Sequence, residues 1–193
     1  VGGLAAAGAV GTPRLLHHSG LARDLGSRVG VGMHLHPGNA VLGLCDFEVR
    51  MWTGATQGAY FTDPELPDVL PHTLSMPPGT LILTMGKVGQ QAKEAIKLAP
   101  YMAGCLVMVS DKGEGTVGAN AEGRAAISYD FADADVDRIK AGMVETARVL
   151  MAGGAKEVFG PVHGLGVHNT IEGFEAAIAS RTIHDFALYA AHP

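Results

Sequence analysis

An α+β fold, with a mostly antiparallel sheet and flanking helices, is predicted by three features of the sequence. Ala40–Cys45 and Tyr101–Ser110 are apolar runs with the length and composition of buried strands. Thr116–Gly118 and Ala126–Asp130 follow the second run after tight turns, Asp111–Gly115 being of hairpin type, and short strands joined in this way pair antiparallel. Ala134–Ala152 is a long amphipathic helix, with Val136, Ile139, Met143, Ala147 and Leu150 on one face.

Composition narrows the function classes. The 193 residues are 47% apolar and 17% charged, enough to bury a core and too apolar for a disordered chain. The length suits one domain or one and a half. A net charge of −5 argues against a nucleic-acid-binding surface, which needs clustered Lys and Arg. No apolar run reaches the roughly 18 to 20 residues of a membrane span, and the first residues lack the basic-then-apolar pattern of a leader. The chain opens within an apolar run without Met and stops at His192-Pro193, so it is expected to be an internal piece of a longer polypeptide. Cys45 and Cys105 have no Cys-x-x-Cys spacing and lie in apolar runs. They are expected to be buried free thiols, which suits a reducing, cytoplasmic setting.

In chain order, the small apolar run up to Gly8 reads as a strand, followed by a tight Gly8-Ala9-Val10-Gly11 turn. Thr12 stands where an N-cap belongs and Pro13 at the first helical position, where its missing N–H costs nothing. Leu15–His18 then forms a short helix that Gly20 stops. Leu21–Val31 is a polar connector. His34 and His36 share one face of a strand, a pattern that suits metal, but no third ligand is placed nearby. Phe47–Trp52 reads as a strand and Thr53–Tyr60 as turns. Asp63–Pro78 holds five of the ten prolines and reads as a loop forming a lid or pocket wall. Trp52, Tyr60 and Phe61 are candidates for an apolar pocket lining or for core.

Leu81–Met85 starts a helix or forms a short strand. Gln90–Tyr101 has helical spacing, with Ala92, Ala95, Ile96 and Ala99 in one stripe, and Pro100 ends or bends it. Asp133 can cap the long helix, with Asp135 and Asp137 near its positive end. These aspartates lack the spacing of a calcium loop. Gly153-Gly154 closes the helix. Glu157–Val162 reads as a strand, Gly164–Asn169 as a loop and Ile171–Ala179 as a short helix or a turn. His163 and His168 flank the glycine-rich loop, as solvated residues or as substrate contacts.

The first stretch also carries a resemblance. Gly8-Ala9-x-x-Thr12-Pro13-x-Leu15-Leu16-x-x-Ser19-Gly20-Leu21 resembles the second signature of the glucose–methanol–choline (GMC) family of FAD-dependent alcohol oxidoreductases, with Ala22 where the pattern has glycine. Gly30–Gly38 is similar to the family's passage from the flavin half to the substrate half, which makes His36 a structural or pocket-edge residue. Val109–Val117, Ala126–Asp130 and Gly153–Val158 are similar to its substrate domain, in the right order.

The resemblance implies three regions: residues 1–38 as a trailing part of the FAD-binding domain and crossover, 39–190 as the substrate-binding domain, and 191–193 as the return. It implies that Gly8, Ala9, Thr12 and Pro13 lie near the FAD. It also implies that His192-Pro193 begins the segment whose histidine faces the flavin, making His192 the catalytic base. Histidine suits that step because its pKa lies near neutrality, while the hydride goes to the cofactor.

No Gly-x-Gly-x-x-Gly run opens a helix here as a dinucleotide fingerprint does, Gly113–Gly118 falling in the Asp111–Gly115 turn and the strand after it; the family's second catalytic His or Asn is also absent from these residues. The expected partners are therefore a small alcohol, apolar in character, and the remainder of the flavoprotein chain; the fragment by itself is expected to be inactive. Two rival readings stand beside this one. The first is a non-catalytic α+β module that binds an apolar ligand or a partner chain. The second is a metal hydrolase built on His34, His36 and later histidines.

Overall fold

The computed structural model describes residues 4–187, and the backbone alone at 189–190. In chain order the elements are α1 (Gly8–His18), α2 (Ala22–Leu25), β1 (Val31–Met33), β2 (Pro37–Cys45), β3 (Val69–Thr73), α3 (Pro78–Thr84), α4 (Gly89–Leu98), β4 (Met102–Val109), β5 (Glu114–Ala119), β6 (Ala125–Asp130), α5 (Asp133–Ala152), β7 (Ala155–Phe159), α6 (Ile171–Ala179) and β8 (Tyr189–Ala190). The fold is α+β, as the sequence predicts. Its described residues form two compact units, one of residues 37–109 and 136–189 and a smaller one built on 4–36 and 110–135.

The larger unit is organised on an antiparallel sheet of order β3-β4-β2-β7, with the short β8 pairing β2. Successive side chains of a strand go to opposite faces. Val41, Val69, Val107 and Val158 therefore pack on one face against Val136, Ile139, Met143 and Ala147 of α5 and Phe174 and Ile178 of α6. Leu42 and Met102 go to the other face, where Leu81 of α3 and Ala99 join them. With both faces facing protein, β2 reads as a continuous apolar run with no alternation. Gly142 sets how near α5 approaches: a Cβ there would lie 2.6 Å from Cγ1 of both Val69 and Val107.

The smaller unit has a three-stranded sheet of order β1-β5-β6 together with α1. Two aspartates tie it together. The Asp111 carboxylate, with its side chain largely buried, accepts from the Leu35 N–H at 2.9 Å and from the Tyr129 hydroxyl, and lies 3.6 Å from His34 Nδ1. Asp135 is fully buried and accepts from the Lys112 and Gly113 N–H groups at 3.0 Å. Desolvation, then the hydrogen bond and negative charge of Asp111, push the Tyr129 hydroxyl pKa well above its ordinary value.

Several sequence expectations need correction. α1 begins at Gly8, so Thr12 is no N-cap and Pro13 lies inside the helix; Ala7 is the N-cap residue, and its N–H donates to Thr12 Oγ1 at 2.9 Å. Residues 4–7 form no strand. Phe47–Trp52 is not a strand either, because the Val49 and Arg50 N–H groups both donate to the Pro100 carbonyl, at 2.8 and 2.9 Å, and Arg50 adopts φ 49°. The proline-rich loop contains β3. This strand tolerates Pro71 because it is the edge of the sheet, where one side needs no backbone donor. Asp111–Gly115 does not fold β4 back on β5: those strands belong to different sheets. Asp135 serves as a buried acceptor from the preceding loop, beyond a helix-end charge.

Cys45 and Cys105 are buried and free. Burial pushes the Cys105 thiol up to about 11, and burial with the Asp46 charge raises that of Cys45. Since the thiolate is the reactive form, iodoacetamide should label neither cysteine appreciably in the native protein at neutral pH. Unfolding should expose both to rapid labelling, which mass spectrometry would count; fast native labelling would contradict the burial.

Candidate functional site

The sheet face opposite α5 is incompletely filled. Ala40, Leu42 and Leu44 alternate along β2 and share this face, Leu44 standing opposite Met102 of β4 and Glu157 of β7, and Leu42 opposite Phe159. Across from them are Met85, just after α3, and Ala95 and Leu98 of α4. Between these walls is a cavity of about 690 Å³, whose lining also includes Gly160, Pro161, Gly166 and Val167. That volume is in the range of small-molecule pockets.

Local sequence explains the shape. Pro78 opens α3, and Leu81, buried in the second apolar cluster, anchors the helix beside the sheet. Ala95 presents only a methyl where a larger residue would fill the space. Gly160 permits a close approach, since a Cβ there would lie 2.6 Å from the Ala40 carbonyl oxygen. Met76, Met85 and Met102 add flexible, polarizable walls that adjust to ligand shape.

Most polar groups of the lining are already engaged. The Thr84 hydroxyl donates to the Leu81 carbonyl at 2.8 Å. Glu94 accepts from Gln90 and from Lys97, each at 2.8 Å. Lys87 lies in the exposed turn between α3 and α4. Glu157 alone among the charged lining residues comes from the sheet.

The residues singled out from the sequence fall in several places. Trp52 packs against the second apolar cluster, Tyr60 is 71% exposed and Phe61 is half-buried, and none lines the cavity. Its aromatic wall is Phe159, whose role depends on β7 pairing with β2, a long-range register that no local pattern encodes. Gly8, Ala9, Thr12 and Pro13 lie together in the first half of α1. His34 faces Asp111, and His36 is exposed. Among the described residues no three His, Cys, Asp or Glu side chains converge on a metal position. His168 is a structural residue: its Nε2 lies 2.6 Å from the Leu165 carbonyl and its ring meets Phe174 edge-on at 5.9 Å. His163 is exposed. His192 lies outside the described residues.

The first turn of α1 fits one edge of an anionic or flat group. It has no acidic residue and no side-chain cap on its N–H groups, and a Cβ at Gly8 would meet nothing within 4 Å. Unfilled N–H groups at a helix start favour anions. Gly8, Ala9, Thr12 and Pro13 therefore leave room for one edge of such a group and not a whole cradle, since the Gly-x-Gly-x-x-Gly run of these residues, Gly113–Gly118, leads into β5 and opens no helix.

Fold and cavity together define an α+β protein with a ligand-sized apolar pocket against an antiparallel sheet. No family model matches the sequence. A GMC-type oxidoreductase of Mycobacterium tuberculosis is 31% identical over 189 residues, a match covering 97% of this chain and 30% of that protein. Two long-chain-alcohol oxidases of Arabidopsis thaliana are 30% and 29% identical over 168 and 165 residues, each match covering 80% of this chain and 21% of the relative. The chain is homologous to GMC-type oxidoreductases, and it spans about 30% of the length of the first of these relatives. No helix among the described residues is long and apolar enough to cross a membrane.

Proposed function

We propose that this chain is the substrate-side part of an FAD-dependent oxidoreductase acting on the CH–OH group of an aliphatic alcohol. The observation that carries the reading is the 690 Å³ apolar cavity against β2, β4 and β7, in a chain homologous to GMC-type oxidoreductases and alcohol oxidases. The cavity holds the hydrocarbon part of the alcohol and keeps water from it, a gain of roughly 0.8 kcal/mol for each buried CH₂. His192 accepts the hydroxyl proton, for which a neutral imidazole is suited. Gly8, Ala9, Thr12 and Pro13 form one edge of the cofactor's site. Bound FAD supplies the hydride acceptor. Residues 1–38 and 191–193 are assigned to the flavin half and 39–190 to the substrate half, the remainder of the polypeptide carrying the dinucleotide fingerprint. Reduced Cys45 and Cys105 support a cytoplasmic location.

The test is the visible absorption spectrum of the purified protein that carries this chain, followed by addition of alcohol. The expected result is a flavin spectrum that bleaches anaerobically as alcohol is oxidised. A colourless, folded protein that binds aliphatic ligands would instead establish the second reading, a binding module, for which the same cavity suffices.

A further inference from the structure

The cavity contains one feature that an indifferent hydrocarbon pocket lacks. Three charged residues line it: Lys87, Glu94 and Glu157. Glu94 is neutralised by Lys97 at 2.8 Å, and Lys87 is in an exposed turn. Glu157 is different. It is half-buried on β7, opposite Leu44, on the same face as Phe159 two residues on. Among the described residues no hydrogen bond or ion pair engages its carboxylate. Its neighbour Lys156 is on the opposite face of the strand and lies 3.5 Å from Asp46. A carboxylate in that position only accepts hydrogen bonds.

We propose that Glu157 is a specificity-determining residue of this cavity, admitting aliphatic ligands whose polar group donates a hydrogen bond and rejecting the carboxylate of the same chain length. The proposal rests on the reading of the cavity as the place for an alcohol's hydrocarbon part. A primary hydroxyl or an alkylammonium group satisfies Glu157. An alkyl carboxylate offers no donor, meets a like charge and gives up water for nothing. The over-oxidised acid is therefore not retained where the alcohol is held.

Isothermal titration calorimetry of the purified protein with decan-1-ol, decylammonium and decanoate, at neutral pH and low salt, tests this. Decanoate is expected to bind at least about tenfold more weakly than decanol. Added salt should narrow that gap, because Glu157 is only half-buried. Glu157→Gln keeps the size and removes the charge, and should raise decanoate affinity about tenfold relative to decanol. Equal affinity of the wild type for decanol and decanoate, or a ratio unmoved by both salt and Glu157→Gln, overturns the proposal while leaving the cavity's role intact. Ala95→Phe separates the two failures. It fills the cavity from α4 and should abolish decanol binding; if it does not, or if no ligand binds the wild type, the reading of the cavity itself fails and the proposal with it. The salt dependence of the wild type needs no variant, so the test does not depend on Glu157→Gln folding.

Discussion

His192→Ala should lower kcat for alcohol oxidation by the flavin-loaded protein about 100- to 10,000-fold, the range over which positioned general bases act. The hydroxyl proton must leave as the hydride does, and water is a poor substitute for an imidazole at neutral pH. On the proposed reading KM should change less than kcat, because Leu42, Leu44, Met102 and Phe159, which line the cavity, are left in place by the substitution. The sign of the pH dependence follows from the role. A base must be unprotonated to accept a proton, so wild-type kcat should rise with pH as the imidazole loses its proton. The variant should lose that limb. An unchanged kcat with an unchanged pH profile would remove His192 from the chemistry and leave the cavity assignment untouched.

Phe174→Ala should destabilise the protein by about 3 to 5 kcal/mol. Phe174 is fully buried on α6, in the apolar cluster that joins α5 and α6 to the sheet. Truncation removes the ring's burial and leaves a hole, since its neighbours in a close-packed core relax only in part. It also removes the edge-on partner of His168. A loss of that size is a large fraction of the roughly 5 to 15 kcal/mol that keeps a domain folded. Leu83→Ala is the control: Leu83 is 76% exposed and should change stability little. Urea denaturation followed by circular dichroism measures both. A cost below about 1 kcal/mol for Phe174→Ala would mean that α6 does not pack as described.

The readings that held depend on local physics. α5 is legible because its apolar residues recur at the helical period, and Val136, Ile139, Met143 and Ala147 are all buried. β2 and β4 are legible because strands covered on both faces become unbroken apolar runs. α6 runs over Ile171–Ala179, with Thr170 capping it through Gly173.

The misreadings arose where a distant partner outweighed the local signal. Alternating apolar residues suggested a strand at Phe47–Trp52, but the Pro100 carbonyl takes two of its N–H groups. Prolines suggested a loop at Asp63–Pro78, but an edge position makes Pro71 harmless in β3. Thr12 and Pro13 look like a helix start, yet the helix begins at Gly8 and the Thr12 oxygen reaches back to the Ala7 N–H.

Taken alone, the sequence determined the α+β class, the principal strands and helices and, through the Gly8–Leu21 motif, kinship with the GMC-type oxidoreductases, which relatives matched over 97% of the chain support. Each of these is written in residues close together along the chain. Tertiary structure alone decided that 110–135 pack with residues 4–36, that Asp111 and Asp135 are acceptors within that unit, and that Leu42, Met102, Phe159 and Glu157 line one cavity. The reason is sheet register: which residues face each other across β4, β2 and β7 depends on pairings 58 and 113 residues apart in sequence, between Leu44 and Met102 and between Leu44 and Glu157.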